Sequence, residues 1–131
     1  MSEPRVHIPF DSYHDYTAMT KYLHALRGAF PDFMTLQSLG TTHQGRDIWA
    51  VTLTNTATGP ELEKPGFYLD AQIHAEEHAT SAVALYAVWH LLHAYGEDDE
   101  VTRLLDRQAV YVLPRINPDG AEYSLQPPYF A

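Results

Sequence analysis

The sequence has no cysteine among its 131 residues, which excludes disulfide bonds, thiolate metal sites and a cysteine nucleophile. Positive charge is also scarce, since 8 lysine and arginine residues stand against 17 acidic residues and give a formal net charge of -9. A nucleic-acid-binding protein needs a basic surface, so we expect no nucleic-acid partner. The same balance disfavours docking on an anionic membrane. Any metal site must therefore use His, Asp and Glu side chains.

Long apolar runs are missing as well. No stretch reaches the roughly 20 apolar residues of a membrane-spanning helix, and residues 1–10 are polar, with two prolines instead of a signal-peptide core. We therefore expect a soluble, cytoplasmic protein without a membrane partner. Because 45% of the residues are hydrophobic and no internal repeat divides the chain, we interpret residues 1–131 as a single domain with a packed core.

The first element predicted by the hydrophobic pattern is a helix. Apolar residues step by three and four from Tyr16 to Phe30, which places them on one helical face. Ser12, together with Asp15 three residues later, is predicted to cap its start. Gly28 and Pro31 are predicted to mark its end, because both residues disfavour a continuing helix.

Strands and helices alternate along the rest of the chain. The predicted elements are strands over 34–40 and 48–54, a strand over 67–73 that ends at His74, a helix over about 77–95, a helix over 99–106 and a strand over 109–113. A strand, a helix and a strand in succession form a crossover unit with parallel strands. The segments that follow these two strands should therefore meet at one edge of the sheet, where sites form in α/β folds.

A polar run, His-Ala-Glu-Glu-His at residues 74–78, lies where the third strand gives way to the long helix. Zinc takes nitrogen and oxygen ligands at about 2.0–2.2 Å, and side chains three or four residues apart can share one ion. Either His74 and Glu77 are ligands, or His74 and His78 are ligands and Glu77 is a general base. In a third interpretation the acidic residues only complement the positive end of the helix dipole. This run alone leaves all three interpretations open.

Two further motifs flank the polar run in a fixed order. Gly45 and Arg46 open the second strand, and residues 113–120 read Leu-Pro-Arg-Ile-Asn-Pro-Asp-Gly after the last strand. Together with His-x-x-Glu at residues 74–77, this order resembles the carboxypeptidase A/B-like zinc peptidases over roughly residues 12–124.

The resemblance implies a fold, an activity and a cofactor. The fold is an α/β protein, a three-layer α/β/α sandwich with a mixed, partly parallel sheet, of which this chain would hold the N-terminal portion. The activity is that of a Zn²⁺-dependent carboxypeptidase, whose substrate is a peptide or protein C-terminus. His74 and Glu77 would be metal ligands. The third ligand, a histidine, would lie beyond Ala131, as would the general base and the arginine that binds the substrate carboxylate.

Such a partial domain has two expected consequences. The chain alone should be inactive, and it should expose an edge strand and an apolar helix face. Zinc-dependent deacylases of the aspartoacylase and desuccinylase kind also use His-x-x-Glu and are an alternative. A non-catalytic pseudo-peptidase that acts as a binding module is another.

Several other polar residues are given structural roles. Arg46 is expected to pair with a carboxylate, and residues 117–120 are expected to form a turn that carries Asp119. Glu76 departs from the family, where that position is often basic or small. It either complements the positive end of the helix dipole or influences the substrate residues upstream of the cleaved bond, by disfavouring acidic ones or favouring basic ones. The remaining histidines are expected to be exposed or packed, namely His7, His14, His24, His43, His90 and His93.

Overall fold

The computed structural model describes residues 3–127, so the first two and last four residues of the predicted domain lie outside the described part. The regular elements are α1 (Tyr16–Ala29), β1 (Met34–Thr41), β2 (Asp47–Leu53), β3 (Gly66–Asp70), α2 (His78–Ala94), α3 (Asp99–Arg107), β4 (Ala109–Leu113) and α4 (Pro118–Ser124). Two short 3-10 helices, Thr56–Thr58 and Glu61–Glu63, lie between β2 and β3. None of the described helices combines the length and the hydropathy needed to cross a membrane.

The four strands form one mixed sheet in the order β1-β2-β4-β3. β1 pairs antiparallel with β2, and β2 pairs antiparallel with β4. β3 and β4 are parallel, with partners running from Gly66 and Ala109 to Asp70 and Leu113. The predicted crossover unit is therefore confirmed, and so is the α/β fold class with a mixed sheet.

The core lies on one face of this sheet. Val51 and Leu53 of β2 are paired with Val112 and Val110 of β4, so the alternation of the strands places all four on the same side. Each buried side chain of this size contributes about 1.5–3 kcal/mol. The same buried cluster includes residues of three helices, namely Met19, Leu23 and Leu26 of α1, Leu85, Val88 and Leu92 of α2, and Val101 and Leu105 of α3.

The start of α1 and the end of β3 differ from the sequence prediction. Asp15 alone is the N-cap, because its Oδ1 accepts a hydrogen bond from the amide of Ala18 at 2.8 Å, whereas Ser12 lies too far before the helix. The end of α1 at Ala29, between Gly28 and Pro31, agrees with the prediction. β3 ends at Asp70 and not at His74, because Gln72 has φ +57° and turns the chain out of the strand.

β3 forms an edge of the described sheet, and apolar surface is exposed around it. Phe67 and Tyr68 of β3 are exposed, as are Val83 and Tyr86 of α2. This agrees with the expectation of an exposed edge strand and an apolar helix face. That the chain is part of a longer domain stays a prediction.

Candidate metal centre

The segments that follow β3 and β4 are joined by hydrogen bonds, as the parallel pairing predicts. The amide of Ala71 donates to the carbonyl of Leu113, and the amide of Ile116 donates back to the carbonyl of Ala71, both at 3.0 Å. Beyond them, Asn117 Nδ2 donates to the carbonyl of Ile73 at 3.2 Å. The run 74–78 and the Asn-Pro-Asp-Gly motif therefore share one rim of the sheet.

The Asn-Pro-Asp-Gly motif begins a helix here, so the prediction that residues 117–120 form only a turn is wrong. Asn117 is the N-cap of α4, and its Oδ1 accepts from the amide of Gly120 at 3.0 Å, while Pro118 takes the first helical position. A Cβ atom added at Gly120 would lie 2.9 Å from the Cβ of Ala75. Glycine is needed because α4 packs directly against the run 74–78.

His74 and Glu77 point towards each other on the surface of this rim. His74 Nδ1 and Glu77 Oε1 are 3.0 Å apart, and the two side chains are 71% and 42% exposed. Two ligands of one zinc ion lie at most about 4 Å apart, so this separation lets both atoms contact the same ion. Within residues 3–127 no group of three or more His, Cys, Asp or Glu side chains could hold a metal.

His78 is turned away from that pair, and both of its ring nitrogens are engaged. Nδ1 lies 2.9 Å from Gln72 Nε2, and Nε2 lies 2.7 Å from Ser124 Oγ. Because Gln72 Oε1 accepts from Arg115 Nε, its Nε2 must be the donor to His78, which leaves the imidazole proton on Nε2. Burial lowers the pKa of His78, and the positive charge of Arg115 lowers it further, so the ring is neutral at pH 7.

Arg46 pairs with a carboxylate, as expected, and the structure identifies that carboxylate as Asp119. Arg46 Nη1 is 2.9 Å from Asp119 Oδ1, and Thr42 Oγ1 donates to the same oxygen at 2.8 Å. The amide of Gln44 donates to Oδ2 at 3.3 Å. Burial alone would raise the pKa of Asp119, but the hydrogen bonds from Thr42 and Arg46 outweigh it and hold that pKa below its ordinary value. The β1–β2 turn is thereby tied to α4.

The other histidines are exposed or packed, as expected. His7, His24 and His43 are exposed, His14 is buried against Tyr22, and His90 and His93 are partly buried on α2. Glu76 is exposed beside the candidate ligands, and its effect on substrate choice stays a prediction.

Gln72 and Ser124 fix the position of His78, but neither is a candidate site residue by sequence, and Arg115 stands out there only as part of a motif. Arg115 is 5% exposed, and burial lowers its pKa, although the carboxylates of Glu122 and Asp15 oppose that effect. No periodicity or spacing marks these residues, because their contacts join positions more than forty residues apart or lie within an irregular loop.

In α/β proteins, the rim at the carboxyl ends of parallel strands is where binding and catalytic sites form. The family model described as zinc carboxypeptidase matches residues 19–128. The chain belongs to the zinc carboxypeptidase family.

Two curated relatives show how much of such a protein the chain spans. It is 32% identical over 114 residues to carboxypeptidase D of Drosophila melanogaster, which is 87% of this chain and 8% of that protein. It is 33% identical over 115 residues to metallocarboxypeptidase A of Trichophyton tonsurans, which is 88% of this chain and 27% of that protein. The chain thus spans about a quarter or less of the length of these relatives.

Solved structures show the same fold. Carboxypeptidase A from Helicoverpa armigera superposes with a TM-score of 0.79 at 26% identity, over 95% of this chain and 29% of that one. Thrombin activatable fibrinolysis inhibitor superposes with a TM-score of 0.82 at 21% identity, over 90% of this chain and 29% of that one.

Alanine substitutions at Gly120 and Gly28 should have opposite effects on stability, because only Gly120 lies against the run 74–78. Gly120→Ala places a Cβ 2.9 Å from Ala75 and 2.5 Å from Asn117 Nδ2, so it should lower the free energy of unfolding by about 1–3 kcal/mol. Gly28→Ala, inside α1 with no heavy atom within 4 Å, should raise it by about 0.5–1 kcal/mol. Urea unfolding measures both, and a neutral Gly120→Ala would contradict the close packing of α4.

The lowered pKa of Asp119 predicts a stability contribution that depends on pH. Because the carboxylate is favoured in the folded state, its contribution is present above the unfolded pKa of about 3.9 and is lost as the pH falls through the folded pKa. Asp119→Asn should therefore lower the unfolding free energy at pH 7 by about 1–3 kcal/mol and have a smaller effect near pH 3. Urea unfolding across this range tests it, with exposed Asp11→Asn as the control. An equal loss at both pH values would contradict the prediction.

Proposed function

We propose that His74 and Glu77 are two of the zinc ligands of a carboxypeptidase that releases C-terminal residues from peptides or proteins. The observation that carries this proposal is the 3.0 Å approach of His74 Nδ1 to Glu77 Oε1 at an exposed rim. Membership of the zinc carboxypeptidase family supports the same chemistry. This close approach to Glu77 involves His74 and not His78, whose two ring nitrogens lie against Gln72 and Ser124 instead.

The proposed site needs further groups that we expect outside residues 3–127. A catalytic zinc takes three protein ligands and a water molecule, whereas the described residues bring together only two. By the resemblance to the carboxypeptidase A/B-like peptidases, the third ligand, the general base and the arginine that binds the substrate carboxylate would follow Ala131 in the intact protein. When bound, zinc supplies a Lewis acid and an activated water molecule.

The chain's own contribution is to present two donor atoms in a fixed relation. Without metal, a proton on His74 Nδ1 joins that nitrogen to the carboxylate of Glu77. To hold a metal ion, His74 would give up this proton, because a ligand nitrogen needs a free lone pair. The Glu77 carboxylate would supply a negative charge beside the cation. The high exposure of both side chains leaves room on the solvent side for a substrate.

The zinc ligands are tested by zinc affinity, measured in competition with a chelating dye. Glu77→Gln keeps the shape of the side chain but removes its charge, and His74→Ala removes the nitrogen, so each should weaken zinc binding at least about 10-fold. His78→Gln is the matched control and should change the affinity by less than about 3-fold. If His78→Gln abolishes binding and Glu77→Gln does not, the ligands are the two histidines and the proposal is wrong.

The activity is tested on the intact protein in which this sequence occurs. We expect it to release the last residue of a peptide with a free C-terminal carboxylate and to leave the same peptide with a C-terminal amide uncut, as mass spectrometry would show. Glu77→Gln should lower the rate by at least about 100-fold, because the zinc site is impaired. Deacylation of N-acylated amino acids without release of peptide residues would support the deacylase alternative instead.

A further inference from the structure

The backbone of Gln72 adopts a conformation that suits glycine better than glutamine. It is the one non-glycine residue with a positive φ, +57°, among residues 3–127. A side chain raises the energy of this left-handed conformation, and such strain is retained where the surrounding structure requires it. Gln72 lies two residues before His74, at the point where the chain leaves β3. A specific use of its side chain would explain why glutamine occupies this position.

That side chain is 2% exposed, and every hydrogen-bonding group of its amide is used. Oε1 accepts from Arg115 Nε at 2.8 Å, and Nε2 donates to the carbonyl of Ala75 at 3.0 Å and to His78 Nδ1 at 2.9 Å. The backbone amide of Gln72 donates to Thr80 Oγ1 at 3.0 Å. One buried residue thus connects the segment after β4, the middle of the run 74–78 and the first turn of α2.

These bonds fix the chain on both sides of the candidate ligands. The bond from Gln72 to Ala75 holds the residue that directly follows His74, and the bond to His78 holds the residue that directly follows Glu77. His74 lies between Gln72 and Ala75, and Glu77 lies between Ala75 and His78, so the Gln72 side chain holds the chain on either side of each ligand. The ligands are also joined directly, because the amide of His74 donates to Glu77 Oε1 at 3.3 Å and the amide of Glu77 donates to the carbonyl of His74 at 3.2 Å. The buried bonds of Gln72 lie beneath this exposed turn and support it.

We propose that Gln72 is the positioning residue of the metal site, whose buried amide sets the separation of His74 and Glu77 before the metal binds. The inference rests on the proposed function, because it takes His74 and Glu77 as ligands. Positioning of this kind lowers the cost of ordering the ligands when the ion arrives, so it acts on affinity and not only on folding.

The test separates positioning from a purely structural role, in which Gln72 only satisfies the buried Arg115. Gln72→Gly removes the amide but accepts the positive φ, and Gln72→Asn keeps an amide that is one methylene too short. Leu23→Ala, at a buried position of α1, is the matched destabilised control, because it leaves the run 74–78 untouched. All variants are compared by circular dichroism, and zinc affinity is measured by dye competition where each remains folded.

We expect both Gln72 variants to bind zinc about 10-fold more weakly than the wild type, and Leu23→Ala to bind it equally well. If the Gln72 variants bind zinc as tightly as the wild type, the inference about Gln72 is wrong. The proposed zinc ligands would still be supported in that case, provided that Glu77→Gln weakens zinc binding. An equal loss in Leu23→Ala would also overturn it, since the effect would then follow stability. If Glu77→Gln and His74→Ala do not weaken binding, the zinc site itself fails, and the role of Gln72 falls with it.

Discussion

The parallel pairing of β3 with β4 is the constraint on which the rest of the site depends. Parallel strands end at the same edge of a sheet, and here the backbone pairing continues past the strands. The hydrogen bonds between Ala71, Leu113 and Ile116 join the two outgoing segments before any polar side chain is involved. The crossover through α2 therefore brings together, at one rim, residues that are more than forty positions apart in the sequence.

The polar residues of this rim form two layers that differ in their exposure to solvent. The lower layer consists of the buried residues Arg115 and Gln72 and the partly buried His78. Arg115 Nε and His78 Nδ1 bond to the Gln72 amide, Arg115 Nη2 donates to the carbonyl of His14, and His78 Nε2 bonds to Ser124 Oγ. Of the guanidinium nitrogens of Arg115, only Nη1 lacks a hydrogen-bond partner among the described residues. A buried cation is costly unless such bonds compensate for its lost hydration. The upper layer is exposed and consists of His74 and Glu77. The stable bonds thus lie where water is excluded, and the groups suited to a metal lie where an ion can reach them.

Much of the fold could be predicted from the sequence, because it follows from periodic patterns. The alternation over β3, the apolar run over β4 and the helical spacing over α1 and α2 predict the order of elements and the shared rim. The pairing of Arg46 with a carboxylate was also expected. The predicted end of β3 was wrong, because Ala71 and Ile73 continue the apolar alternation although Gln72 breaks the strand. A positive φ at glutamine has no sequence signal, since glycine and asparagine are the residues that normally mark it.

The same limit explains why residues 74–78 alone could not decide between Glu77 and His78 as the second ligand. Both lie three or four positions after His74, and that spacing fits one ion in either case. The contacts of His78 with Gln72 and Ser124 turn its ring away from His74, and Ser124 reaches that ring because α4 packs against the loop at Gly120. Packing against a segment distant in sequence therefore contributes to leaving Glu77 as the neighbour that faces His74. The Asn-Pro-Asp-Gly motif bears on the candidate metal site through this packing.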